Sequence, residues 1–101
     1  MNPYLEECRP NFWLSCMVID KTSDVNFMDI FNKLNEENIE SRPIWKPMHM
    51  QPLYKDNEFF CVEENPVDKD IFERGLCLPS DIKMTEEDQD RIIEIVKSCF
   101  K

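Results

Sequence analysis

Residues 41–55, Ser41-Arg42-Pro43-Ile44-Trp45-Lys46-Pro47-Met48-His49-Met50-Gln51-Pro52-Leu53-Tyr54-Lys55, set the tightest limits on what this chain can fold into. Pro43, Pro47 and Pro52 fix φ at three points and each lacks a backbone donor, which excludes a continuous helix or a central strand across the stretch. It is also the longest run without an acid in a chain of formal charge −9. Arg42, Lys46, His49 and Lys55 share it with Trp45 and Tyr54, so cationic and aromatic groups are displayed on stiffened, irregular backbone. Function concentrates on loops that a rigid scaffold holds in place.

The rest of the chain reads as that scaffold. Its 101 residues can bury one core and not two. A content of 42% apolar and 33% charged side chains is globular rather than disordered. With one glycine, most turns fall to Pro, Asn, Asp and Ser. Twelve basic against 21 acidic side chains argue against a nucleic-acid or anionic-membrane surface, since both require a basic face. One small anion at a local basic island remains compatible with that balance. No run approaches the roughly 20 apolar residues of a membrane span. The start, Met1-Asn2-Pro3-Tyr4-Leu5-Glu6-Glu7, lacks the basic and apolar regions of a signal peptide, so a cytoplasmic location is expected. Cys8, Cys16, Cys61, Cys77 and Cys99 form no CxxC pair and no zinc spacing with the sole histidine. Reduced, mostly buried thiols and no metal site are expected.

In chain order, Pro3 and Pro10 punctuate a lead-in segment. Residues 12–19 are nearly all apolar and predict a strand covered on both faces, central in its sheet. Ser23 or Asp24 is placed to cap a helix whose Phe27, Ile30, Phe31 and Leu34 share a face, with Asn38 as a left-handed stop. Residues 39–42 make a short second strand before Pro43. Phe59-Phe60-Cys61-Val62, within residues 56–64, reads as either a short strand or a hydrophobic plug. Asn65 and Pro66 open another helix, with Ile71 and Phe72 facing inward and Gly75 as its stop. Leu76-Cys77-Leu78 is a short buried strand ended by Pro79. The last helix is the clearest: Thr85 caps it, and Glu86, Glu87 and Asp88 fill its first turn. Ile92, Ile95, Val96 and Cys99 form its apolar face, with Lys97 and Lys101 at its far end. The expected fold is α+β, a two-layer arrangement of a small mixed or antiparallel sheet with about three helices packed on it.

His49 is the only histidine, so one chain cannot build a histidine pair, and no nucleophile partner is evident. Beside Arg42 and Lys46 it suits a phosphate or carboxylate, with Arg42 gripping bidentately and Lys46 acting as a point charge. Trp45 and Tyr54 either cover the core or stack on a ring or sugar face. There is no phosphate-cradling glycine loop, no Ser-His-Asp order and no paired-carboxylate signature. The residues alone describe a domain with an anion-binding loop, not a self-contained enzyme.

Arg9-Pro10-Asn11-Phe12-Trp13-Leu14-Ser15-Cys16 and Ile39-Glu40-Ser41-Arg42-Pro43-Ile44-Trp45-Lys46-Pro47-Met48-His49 resemble pyridoxal-phosphate-dependent nucleotide-sugar aminotransferases of the DegT type. Leu53-Tyr54, residues 70–80 and Met84-Thr85-Glu86-Glu87-Asp88-Gln89 fit the same family, in the same order. The chain departs from its usual pattern at Asp81, where glycine commonly follows Leu-Pro-Ser. The resemblance covers only the final quarter or so of such enzymes. It implies that residues 1–101 are the C-terminal small domain of a fold-type-I aminotransferase, with the large cofactor-binding domain absent. In the parent, pyridoxal phosphate on a lysine of that large domain would move an amino group from an amino acid, typically glutamate, to a keto-sugar nucleotide. The product would serve cell-surface polysaccharide or glycan synthesis, and the parent is expected to be a homodimer. The resemblance places His49 near the nucleotide-sugar at the domain junction, with Arg42, Trp45 and Lys46 in the wall beside it. No catalytic or cofactor-binding residue is expected within these residues, and the chain alone is expected to be inert and to bind no cofactor. Two other readings stand beside this one: a stand-alone module binding an anionic sugar nucleotide, and a relative that dehydrates the sugar.

Overall fold

The computed structural model describes residues 4–62 and 64–100. Met1, Asn2 and Pro3 of the lead-in, Glu63, and Lys101, expected at the far end of the last helix, lie outside the described residues. β1 (Ser15–Val18), β2 (Arg42–Pro43) and β3 (Gly75–Leu78) form an open antiparallel sheet with β3 in the middle. Around it lie α1 (Phe27–Glu36), α2 (Val67–Arg74) and α3 (Glu86–Cys99), with two single 3-10 turns at Met48–Met50 and Pro52–Tyr54. The architecture is the α+β layer expected.

α1 forms because Phe27, Ile30, Phe31 and Leu34 recur at helical spacing; Ile30 and Leu34 are fully buried. Its cap is Asn26 rather than Ser23 or Asp24. The Asn26 side chain accepts from the Met28 and Asp29 backbone, and Asp29 returns a bond to the Asn26 N–H. Ser23 instead accepts from the Val25 N–H two residues before the helix proper begins. Asn38 turns the chain out of α1 at φ 58°, the left-handed geometry expected of it. α3 follows expectation closely. Thr85 and Asp88 make a reciprocal capping box, and the two Thr85 bonds hold the Asp88 carboxyl below its usual range. Ile92 enters the core with Ile95, Val96 and Cys99 packed around it. The Arg91 guanidinium donates to both the carbonyl and the carboxylate of Glu37, tying α3 to the end of α1. Ile19, Ile30, Leu34, Leu76 and Ile92 make the buried core, so the two long helices lie over one face of the sheet.

The strands differ from expectation in two ways. Residues 12–19 do not form the central strand: β1 is only Ser15–Val18, half-buried and at the sheet's edge. Phe12 adopts φ 52°, which breaks extended backbone, and Phe12, Trp13 and Val18 are exposed. The central place goes to β3, whose Gly75, Leu76 and Cys77 are all buried. Pairing partners 61 positions apart decide this, and no local pattern in either segment reports it.

Further corrections concern α2 and the thiols. Pro66 occupies the cap position of α2 with no side chain capping it, so Asn65 is not the cap. Ile71 is exposed and Phe72 half-buried, so α2 contributes no residue to the core. Gly75 does end α2 as expected, in extended geometry at φ −101°, and begins β3 directly. Phe60, Cys61 and Val62 are exposed and form neither strand nor plug. Of the five thiols only Cys77 is buried; Cys16 and Cys99 are half-buried, while Cys8 and Cys61 are exposed.

α2 is moored to β1 through charge. The Arg74 guanidinium bonds Asp70 and the carbonyl of Ile19, and Lys21 reaches Asp70 at 3.0 Å. The hydrogen bonds from Arg74 and then Lys21 hold the Asp70 carboxyl at about 2. A folded value below the unfolded one stabilises the fold fully above the unfolded pKa, and that stabilisation is lost as pH falls towards 2. The stability difference between the parent sequence and Asp70→Asn should therefore be full at pH 5 and shrink on acidification, as measured by urea unfolding at stepped pH. A difference that stays constant down to pH 2 would count against this mooring.

Candidate functional site

An open groove of about 590 Å³ runs between the β1, β2 and β3 segments and the turn after β3. Arg42, Trp45, Trp13, Cys77, Ser80 and Asp81 are among its lining residues. Each arrives for a local reason. Pro43 holds the β2 segment extended as it delivers Arg42, and Trp45 follows two residues on. Ile44, between them, packs at the level of Gly75. Trp13 stands just before β1. Its ring centroid lies 6.1 Å from that of Trp45 with the planes tilted by 40°. Both indoles are about two-thirds exposed, unusual for side chains of this size and enough to leave ring face available.

On the opposite wall β3 stops at Pro79. The Ser80 hydroxyl accepts the Ser15 N–H at 2.8 Å and donates to the Leu78 carbonyl at 3.3 Å, closing the end of the sheet. The Asp81 carboxylate accepts the Lys83 N–H at 2.8 Å and its carbonyl accepts from Met84 at 3.1 Å. Asp81 is not among the described residues with positive φ, so this turn has no need of a glycine.

Arg42 is not a bare cation. Its Nε and Nη2 both donate to one oxygen of Glu40, at 2.9 and 2.6 Å. The run that lacks acids in sequence is thus supplied with one from its border, and Glu40 also lines the groove. An anion entering here exchanges with Glu40 for a guanidinium already held in place. With two indole faces alongside, the groove can take a flat or sugar ring joined to an anionic group.

The four expected site residues do not converge. Arg42 and Trp45 meet in the groove, whereas Lys46 and His49 do not line it. The Lys46 side chain is exposed, and its carbonyl accepts from Gln51 at 3.1 Å. His49 lies on the first 3-10 turn, stacked on Phe59 at 3.8 Å between ring centres with an angle of 21°. Its Nδ1 is 3.4 Å from an Asp68 oxygen in the first turn of α2. Sequence reasoning missed Trp13, Asp68 and Phe59 as site partners. Trp13 stands within the Arg9–Cys16 segment that carries the family resemblance; nothing local to Asp68 or Phe59 points to His49.

All described lysines are exposed except Lys69, which is half-buried and lies 3.8 Å from Glu73. Among the described residues no group of three or more His, Cys, Asp or Glu could hold a metal, and no helix is long and apolar enough to cross a membrane.

The α+β layer thus carries one open groove in which a guanidinium and two indole rings stand together. Residues 3–97 match the family model of the DegT/DnrJ/EryC1/StrS aminotransferase family, and the chain belongs to that family. It is similar to EpsN of Bacillus subtilis (strain 168), described as a pyridoxal phosphate-dependent aminotransferase, with 44% identity over 91 residues covering 89% of this chain and 23% of that protein. It is also similar to two proteins named GDP-perosamine synthase. That of Vibrio cholerae is 26% identical over 92 residues, covering 89% of this chain and 24% of the relative. That of Escherichia coli O157:H7 is 28% identical over 72 residues, covering 71% and 19%. The chain thus spans about a quarter or less of the length of these relatives.

Proposed function

We propose that residues 1–101 are the C-terminal small domain of a pyridoxal-phosphate-dependent aminotransferase, and that their groove is one wall of its nucleotide-sugar site. The carrying observation is the Trp13–Trp45 pair beside Arg42 in one groove. An indole face suits a nucleobase or the apolar face of a sugar, and a guanidinium suits a diphosphate. The family supports transamination, and the names of two relatives support a sugar-nucleotide substrate. The cofactor and its lysine belong to the large domain of the longer protein. The amino donor is glutamate, the protein is a cytoplasmic homodimer, and its product enters cell-surface polysaccharide or glycan synthesis. His49, steadied by Phe59 and Asp68, reaches the substrate from the domain junction, with Lys46 on the same border.

The test is binding of GDP-mannose, as a nucleoside diphosphate sugar, to the full-length protein that contains this chain, followed by calorimetry. Aromatic stacking is worth about 1–3 kcal/mol per base, so Trp45→Ala should weaken binding roughly 5- to 150-fold. Arg42→Ala should weaken it as well. Unchanged affinity in both variants would place the substrate wall elsewhere. The 101-residue chain alone should give no imine absorption with pyridoxal phosphate after excess is removed; a stable stoichiometric imine would overturn the assignment of the lysine to the large domain.

A further inference from the structure

On the sheet face opposite the helices, Cys16 of β1 lies directly across from Cys77 of β3, and Cys77 in turn lies across from Arg42 of β2. Leu76 enters the core, so by strand alternation its neighbour Cys77 points to the other face, where it lines the groove. The two Sγ atoms are 3.5 Å apart, one thiol donating to the other.

The register makes this pair special. The Ile19 N–H bonds the Arg74 carbonyl at 3.0 Å, just beyond the Val18–Gly75 pair. That marks Val18 and Gly75 as a non-hydrogen-bonded pair, and by alternation Cys16 and Cys77 are one too. Such pairs bring Cα atoms to about 4.5 Å, within the roughly 4.4–6.8 Å that a disulfide spans. Closing the bond asks for a small rotation of two side chains and no movement of the sheet.

We propose that Cys16 and Cys77 are a modification site: a dithiol that low-molecular-weight disulfides convert reversibly into a cross-strand disulfide at the floor of the Arg42 groove. Cys16, the half-buried member, is the point of attack. Its thiolate attacks one sulfur of oxidised glutathione, forming a mixed disulfide and releasing one glutathione thiolate. Cys77 then gives up its proton and attacks the Cys16 sulfur, releasing the second glutathione. Two protein thiols are oxidised, one glutathione disulfide is reduced, and the two protons end on the two glutathione molecules. Burial, followed by the bond with Cys16, pushes the Cys77 thiol up to about 11. Cys77 is therefore slow to react with any outside reagent and reacts with the sulfur placed beside it. The consequence for the groove is mechanical: the link joins the row that ends at Arg42, and it stiffens that row without adding charge.

The test uses the whole 101-residue chain in oxidised and reduced glutathione buffers, with thiols trapped by N-ethylmaleimide and peptides mapped by mass. A Cys16–Cys77 peptide that has lost two hydrogens is expected, reversed by reduced glutathione, with glutathione adducts on the exposed Cys8 and Cys61. The link should form more than about tenfold faster in the folded chain than in guanidinium, where a long loop must close by diffusion. Cys16→Ser leaves the buried strand intact and should abolish the link while Cys8 and Cys61 still take glutathione. Cys77→Ala should do the same where it folds. Glutathione resting on Cys16 with Cys77 unlinked would overturn the proposal, as would links spread evenly over all five cysteines or formation no faster in the folded chain.

Discussion

Leu76→Ala should destabilise the fold by about 2–5 kcal/mol, the range for removing a fully buried leucine side chain from a packed core. Leu76 is completely buried at the middle of the central strand. It lies opposite Met17 of β1 and Pro43 of β2, and it shares one buried cluster with Ile30 and Leu34 of α1 and Ile92 of α3. Part of the cost is lost transfer energy and part is the cavity, because a site ringed by several elements cannot collapse from one side. Domains of this size are commonly stable by only about 5–15 kcal/mol, so the variant should lose a large share. Guanidinium unfolding followed by tryptophan emission should show a lower midpoint at an unchanged slope. A midpoint like that of the parent sequence would mean that Leu76 is not packed as described.

Gly75→Ala should cost about 1–3 kcal/mol or more through overpacking. The backbone at Gly75 is ordinary, with φ −101°, so any residue could adopt it. Space is what it lacks. An added Cβ would lie 2.4 Å from Ile44 Cγ1 and 2.5 Å from the carbonyl oxygen of Ile71. The isoleucine can shift, but the carbonyl belongs to the last turns of α2, so relief means moving that helix off the sheet. Gly75→Asn separates this account from a glycine kept for left-handed backbone. A stop at positive φ would tolerate asparagine, whereas a steric seat penalises it at least as much as alanine. Equal stability of Gly75→Asn and the parent sequence would overturn the steric account.

How much of the molecule could be read in advance depended on the range of the interaction. α3 was legible because Thr85, Asp88 and the inward isoleucines act within a few residues of one another. The apolar face of α1 was legible for the same reason, but its cap was not, since Ser23, Asp24 and Asn26 all carry capping side chains and only the fold chooses among them. The centre of the sheet was misplaced because apolar content reports removal from water, not strand order. Residues 12–19 have more of that content, yet β3 has the partners on both sides. In the site, Arg42 and Trp45 were visible as cation and ring on proline-stiffened backbone. Trp13, Phe59 and Asp68 acquire their roles from chain segments brought together by folding, and no spacing announces that. Glu40 was within reach: an acid two residues before Arg42 is well placed to pair with it, and the structure forms that pair.

Pro43 has an effect on the sheet's borders beyond holding Arg42 in place. β2 is an outer strand of two residues, one of which has no N–H to offer. A border that short and missing a donor is a poor template for another strand, a common means of keeping a sheet from recruiting neighbours. The sheet is therefore lopsided in where it can grow. A further strand, whether from elsewhere in a longer chain or from a second molecule, has a four-residue border to join at β1 and almost none at β2.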